Sequence, residues 1–97
     1  MDDRMTFVPA ALVVRVGDTV TWRNESRAMV HTATTDPTRV RDPGHVHRPP
    51  GAIAWDSGPI APDESWSYTF EIPGEYRYCC VPHESAGMVG TVTVEEP

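Results

Sequence analysis

Cys80, His83 and Met88 place a thiolate, an imidazole and a thioether within nine residues, in the spacing Cys-x2-His-x4-Met. A thiolate and a thioether suit copper(I), and an imidazole suits both copper oxidation states. One Cys and two His in a trigonal plane, with a long axial Met, make a blue-copper electron-transfer site. The loop therefore lacks one imidazole. His31, in Met29-Val-His-Thr-Ala-Thr-Thr35, is the upstream candidate to supply it. Read alone, a single His at the start of a strand is a surface or capped histidine.

The loop itself is built to turn. Pro82 fixes a φ between Cys80 and His83. Gly87 and Gly90 flank Met88 and allow backbone conformations closed to other residues. Asn24, Thr32 and Ser85 are candidates to tie the two ligand-bearing segments together by hydrogen bonds. Cys79 directly precedes Cys80 with the opposite strand parity. As a ligand it would need Cys-x3-His and would leave the Tyr76 and Tyr78 face, so Cys80 is the expected thiolate and Cys79 a free, half-buried thiol.

The rest of the chain supplies short strands. Leu12, Val14 and Val16 share one parity, as do Val20 and Trp22. Trp66, Tyr68, Phe70 and Ile72 form a third such set, and Tyr76, Tyr78 and Cys80 a fourth. This period of two marks half-buried strands. Met5 to Val8, Ala28 to Thr34 and Ile53 to Ser57 read as further strands, and Gly90 to Val94 as the last. Gly17-Asp18, Gly58-Pro59, Pro62-Asp63 and Pro73-Gly74 punctuate them. About eight short strands between turns predict an all-β sandwich, with Phe7, Trp22, Phe70, Tyr76 and Tyr78 as its aromatic core.

Residues 36–54 break this rhythm with a Pro- and Arg-rich run containing His45 and His47. A structureless stretch this long is uncommon in a compact domain and is either functional or mobile. A two-residue period would put both histidines on one face. They could form a second metal site or a lid over the copper end, but no carboxylate or thiol stands at tight spacing beside them. A solvated loop is the preferred reading. The segment is expected to shape partner docking and to be dispensable for the metal site.

The run Cys80-x-Pro-His-x-x-Ala-Gly-Met-x-Gly90, closing one strand and leading into Thr91-Val-Thr-Val94, resembles the cupredoxins, in particular the plastocyanin, amicyanin and halocyanin group. Further matches are Phe7, Pro9, Leu12, Val14, Gly17, Asp18, Val20, Trp22 and Asn24 early on, and Asp56-Ser-Gly, Tyr68-Thr-Phe70 and Pro73-Gly74 later. Residues 36–54 do not match and read as an atypical insertion in a single domain, 1–97. Cys79 also departs, because plastocyanins commonly carry Tyr there. The resemblance implies a Greek-key β-sandwich of about eight strands holding one type 1 copper on His31, Cys80, His83 and Met88. It implies a monomeric single-electron carrier, not an enzyme, in a periplasmic or otherwise extracytoplasmic compartment. Redox partners, donor and acceptor, would dock at an apolar rim of Pro82, Ala86 and Val89 around His83.

Composition narrows the alternatives. Ninety-seven residues make one domain. A net charge of -6 leaves no basic stripe for nucleic acid. The arginines are expected to balance local acids on solvated faces. Two adjacent cysteines do not make a disulfide framework. No apolar run approaches a membrane span, and the polar start carries no signal-peptide pattern. A copper enzyme such as a nitrite reductase or an oxidase needs a second copper site, which four histidines in one domain supply only if His45 and His47 take part. A copper chaperone or store favours Met-rich or Cys-x-x-Cys sites, which are absent. A binuclear copper centre needs two ligand cysteines separated by a turn. A sandwich that binds no metal leaves the ligand loop unexplained.

Overall fold

A computed structural model of the chain describes Met1 and residues 5–96. Among the described residues, five strands form two sheets: β1 (Ala11–Arg15), β2 (Thr19–Arg23), β3 (Ser65–Thr69), β4 (Gly74–Cys79) and β5 (Val89–Glu95). One sheet has the order β1-β5-β4, with β1 parallel and β4 antiparallel to β5. The other pairs β2 with β3 antiparallel. This is the all-β sandwich expected from the alternation. Residues 5–8, 28–34 and 53–57 contribute only isolated bridges or irregular backbone, among them His31 to Ile60 and Thr34 to both Asp56 and Cys79.

The alternation works as the period of two requires. Tyr76, Tyr78, Val92 and Val94 turn inward from β4 and β5, and Trp22 from β2. On the outer face of the second sheet, the hydroxyls of Thr19 and Thr69 lie 2.7 Å apart, and those of Thr21 and Ser67 2.8 Å. Such cross-strand pairs hold register.

All five aromatic residues expected in the core are buried. Trp55 is a sixth, and it stands at the centre. Its ring lies 5.2 Å from Trp22, 5.3 Å from Tyr68, 5.9 Å from Phe70 and 5.7 Å from Tyr78. Each such aromatic pair contributes about 0.5–1.5 kcal/mol beyond its area burial. The same burial leaves Trp55 Nε1 without a hydrogen-bond partner among the described residues, a cost of about 1–3 kcal/mol that the ring packing outweighs.

Residues 36–54 are not a free loop. Asp42 caps a short 3-10 helix, Pro43–His45, by accepting from Gly44 N. The chain then runs along the outer edge of β4. His47 and Arg77 exchange both backbone hydrogen bonds, at 2.9 and 2.8 Å. Pro49 closes so tightly on Gly74 that a Cβ there would lie 2.6 Å from Pro49 Cβ. His45 and His47 therefore do not share a face: one belongs to the helix, the other to a bridge. The segment acts as a strap covering a sheet edge that would otherwise present unpaired backbone groups.

Candidate metal centre

Cys80 follows β4 directly, and the chain turns at once into a second short 3-10 helix, Val81–Ala86. Pro82 sits in its first turn, where a fixed φ and a missing N–H cost nothing. The helix is kinked at His83 (φ -118°, ψ 21°) and ends at Gly87, whose φ of +80° is left-handed. Glycine takes that conformation without a Cβ penalty. The loop closes on itself, with Cys80 N donating to Met88 O at 3.0 Å and His83 N to Cys80 O at 3.2 Å. Gly90 serves space rather than an unusual φ, since a Cβ there would lie 2.6 Å from Tyr78 Cζ.

His31 reaches the same place from an irregular segment bridged to Ile60. Its backbone exchanges hydrogen bonds with Ile60 at 3.1 and 2.7 Å. The Asn24 amide, fully buried, donates to Met29 O at 2.8 Å and Ile60 O at 2.7 Å. Ser26 supports it, its hydroxyl donating to Met29 O at 2.8 Å and its amide to Asn24 Oδ1 at 2.9 Å. Thr32 joins the two ligand segments: its N–H points at Cys80 Sγ at 3.3 Å, and its hydroxyl accepts from Val81 N at 2.8 Å. Thr32 thus ties the two ligand segments together as expected, whereas Asn24 holds only the His31 segment, to Met29 and Ile60. Ser85 is exposed and has no such bond among those described.

His31, Cys80 and His83 converge, their ligand atoms all within 4.8 Å of one another. Cys80 Sγ lies 3.7 Å from His31 Nδ1 and 3.4 Å from His83 Nδ1. A metal with bonds of about 2.0–2.3 Å to nitrogen and sulfur spans donor separations of this size. His31, Cys80 and Met88 are buried, and only His83 is partly exposed. Burial pushes the Cys80 thiol pKa up, with the bonds from Thr32 and His83 pulling the other way. A thiol so placed ionises readily only when a cation takes the proton's place. One soft anion, two neutral imidazoles and a buried thioether nearby in the loop fit copper.

Cys79 is fully buried but pairs with Thr34 and Val89 and stands outside the three-donor cluster. Burial, with Glu84 and Cys80 adding to it, pushes its thiol up to about 12. His45 and His47 are not in the cluster either.

One functional side chain escaped the sequence. Glu84, next to His83, is 5% exposed. It accepts from Arg41 N at 2.8 Å, Asp42 N at 2.9 Å and His45 Nδ1 at 2.8 Å. The Arg41 amide is the first cause that holds its carboxyl down at about 2, with His45 and Asp42 assisting, against burial that pushes it up. Residues 36–54, expected as a solvated loop, are thus fastened to the metal loop through Glu84. A Glu after a ligand His carries no sequence signal for a partner more than forty residues away.

A family model, copper binding proteins of the plastocyanin/azurin family, matches residues 1–95. The chain belongs to this family. It is 34% identical over 91 residues to plastocyanin from Scenedesmus fuscus, covering 94% of this chain and 88% of that one. It is 38% identical over 91 residues to a chloroplastic plastocyanin from Tetradesmus obliquus, again over 94% of this chain but spanning only 59% of the relative's length. Among solved structures, a mutant amicyanin in the Cu(I) state superposes with a TM-score of 0.72 at 32% identity, covering 97% of this chain and 78% of that one. A purple cupredoxin from Nitrosopumilus maritimus gives 0.69 at 27% identity, covering 93% and 82%. The cupredoxin expected from the ligand loop is thus the family found.

Proposed function

We propose that this chain is a mononuclear type 1 copper protein that carries single electrons between redox partners. His31, Cys80, His83 and Met88 would hold the metal. The observation that carries this reading is the buried Cys80 Sγ facing two imidazole Nδ1 atoms at 3.7 and 3.4 Å. When bound, the copper would cycle between Cu(I) and Cu(II) with the thiolate as its most covalent ligand.

The chain's own part is to keep the donors still. His31 is fixed by its bridge to Ile60 and by the Asn24 network beneath it. Cys80 is fixed by Thr32 on one side and by the Met88 carbonyl on the other. Burial of three of the four residues excludes water. A rigid, dry donor set favours electron transfer because little has to move between oxidation states.

His83 is the edge that meets solvent. Pro82 and Ala86 are exposed beside it, and Val89 is partly so. This supports the apolar rim as the docking surface for donor and acceptor proteins. We take residues 1–97 as one domain, monomeric and extracytoplasmic. No helix among the described residues is long and apolar enough to cross a membrane. One absorption spectrum of the oxidised, copper-loaded protein tests the function. Intense thiolate-to-copper absorption is expected, and its absence would refute the reading.

A further inference from the structure

The strap of residues 36–54 grips the metal loop at one point and the strand before it at another. At one end, both Glu84 oxygens are engaged: Oε1 by Arg41 N at 2.8 Å, Oε2 by Asp42 N at 2.9 Å and His45 Nδ1 at 2.8 Å. At the other, the strap is laddered to Arg77 of β4, whose guanidinium also donates to Gly44 O at 3.0 Å. Arg77 stands three residues before Cys80, and Glu84 one after His83. The strap therefore spans the two pieces of chain that deliver the thiolate and the solvent-facing imidazole.

The chemistry of the contact is demanding. A carboxylate taken out of water is costly unless its lone pairs are filled. Three donors at charge-assisted distances fill them here. The residue so anchored adjoins the kink at His83, where the short helix departs from helical φ/ψ. Within the loop His83 N bonds Cys80 O at 3.2 Å and Gly87 N bonds Glu84 O at 3.0 Å, and the Glu84 carboxylate adds an anchor from outside it.

We propose that Glu84 is a positioning residue of the metal centre: its buried carboxylate fastens the 36–54 strap across the ligand loop and fixes the backbone on which His83 is held toward Cys80 Sγ. The inference rests on the reading of His83 as a copper ligand. It makes the strap part of the site's frame, although no strap residue is among the clustered donors.

The test compares wild type with Glu84→Gln, which keeps the shape but replaces one acceptor oxygen by a donor. In the copper-free protein, amide hydrogen exchange is read at Arg41, Asp42 and His83. In the copper-loaded protein, the thiolate absorption and the Cu(II) EPR hyperfine splitting are read. The expected result is at least a tenfold loss of protection at Arg41, Asp42 and His83, with a displaced band and a changed splitting. His45→Ala should reproduce the displacement in part, and His45→Gln, which restores a donor, should reverse it. Unchanged His83 protection with an unchanged band and splitting overturns the proposal, even if Arg41 and Asp42 exchange faster, because the contact would then be a local fastening only. If Glu84→Gln does not fold, the His45 pair decides by the same readings. A wild type that binds copper without intense absorption defeats the type 1 reading itself, and the exchange data still judge the clamp.

Discussion

The adjacent cysteines separate by what each faces. Cys80 points at two imidazoles, whereas Cys79 pairs across strands and lies outside the donor cluster. Cys80→Ser should abolish the charge-transfer band of the copper-loaded protein, and Cys79→Ser should keep it; visible spectra of the two variants check this, and the opposite pattern sinks the assignment. With a pKa near 12, the Cys79 thiol is about one part in ten thousand ionised at pH 8, and the thiolate is the reactive form. Native copper-free protein treated with iodoacetamide at that pH should therefore stay unmodified at Cys79 by mass spectrometry until denaturant is added. Cys80, His83 and Met88 stood out in the sequence because ligand type and spacing are local facts, whereas His31, far upstream, was singled out only through the family resemblance. Glu84 was not, because what makes it special lies in Arg41, Asp42 and His45, and no spacing rule joins them.

Strands β4 and β5 show how little slack the elements leave around the loop. Gly90 opposes Tyr78, and an added Cβ would meet that ring at 2.6 Å. Overpacking of this kind costs about 1–3 kcal/mol. Gly90→Ala should thus lower the thermal midpoint by roughly 4–8 °C for each kcal/mol lost, as calorimetry of the copper-free protein would read; an unchanged midpoint would show that β5 shifts freely. The strands themselves could be read from their alternation, since a half-buried face leaves a period of two. The strap could not. Its order comes from backbone pairing with Arg77 and from one carboxylate, neither of which leaves a periodic trace. Trp55 was missed as a core residue for a related reason. It stands in an irregular segment between exposed Ile53 and half-buried Ser57, with no amphipathic pattern to announce it.

For the whole molecule, the buried carboxylate makes stability depend on acid. Glu84 has a folded-state pKa depressed from 4.5 to about 2. Its contribution is therefore present above the ordinary carboxyl pKa and is lost as pH falls toward the depressed value. The thermal midpoint of the copper-free protein should fall across that window, and Glu84→Gln should flatten the fall while starting lower at neutral pH. Equal slopes in the two proteins would mean that other carboxylates dominate. The exposed ion pairs, such as Arg23 with Asp63 at 3.9 Å, contribute little to that slope because water screens them. The aromatic centre has an optical consequence. All three tryptophans, Trp22, Trp55 and Trp66, form one triangle of rings 5.2 to 5.6 Å apart. None lies in the strap or in the ligand loop. Indole emission from this protein thus comes from one ring cluster, with Trp22 and Trp55 buried and Trp66 partly so. Opening of the ligand loop would thus be read in the visible spectrum, and loosening of the sandwich in the tryptophan emission.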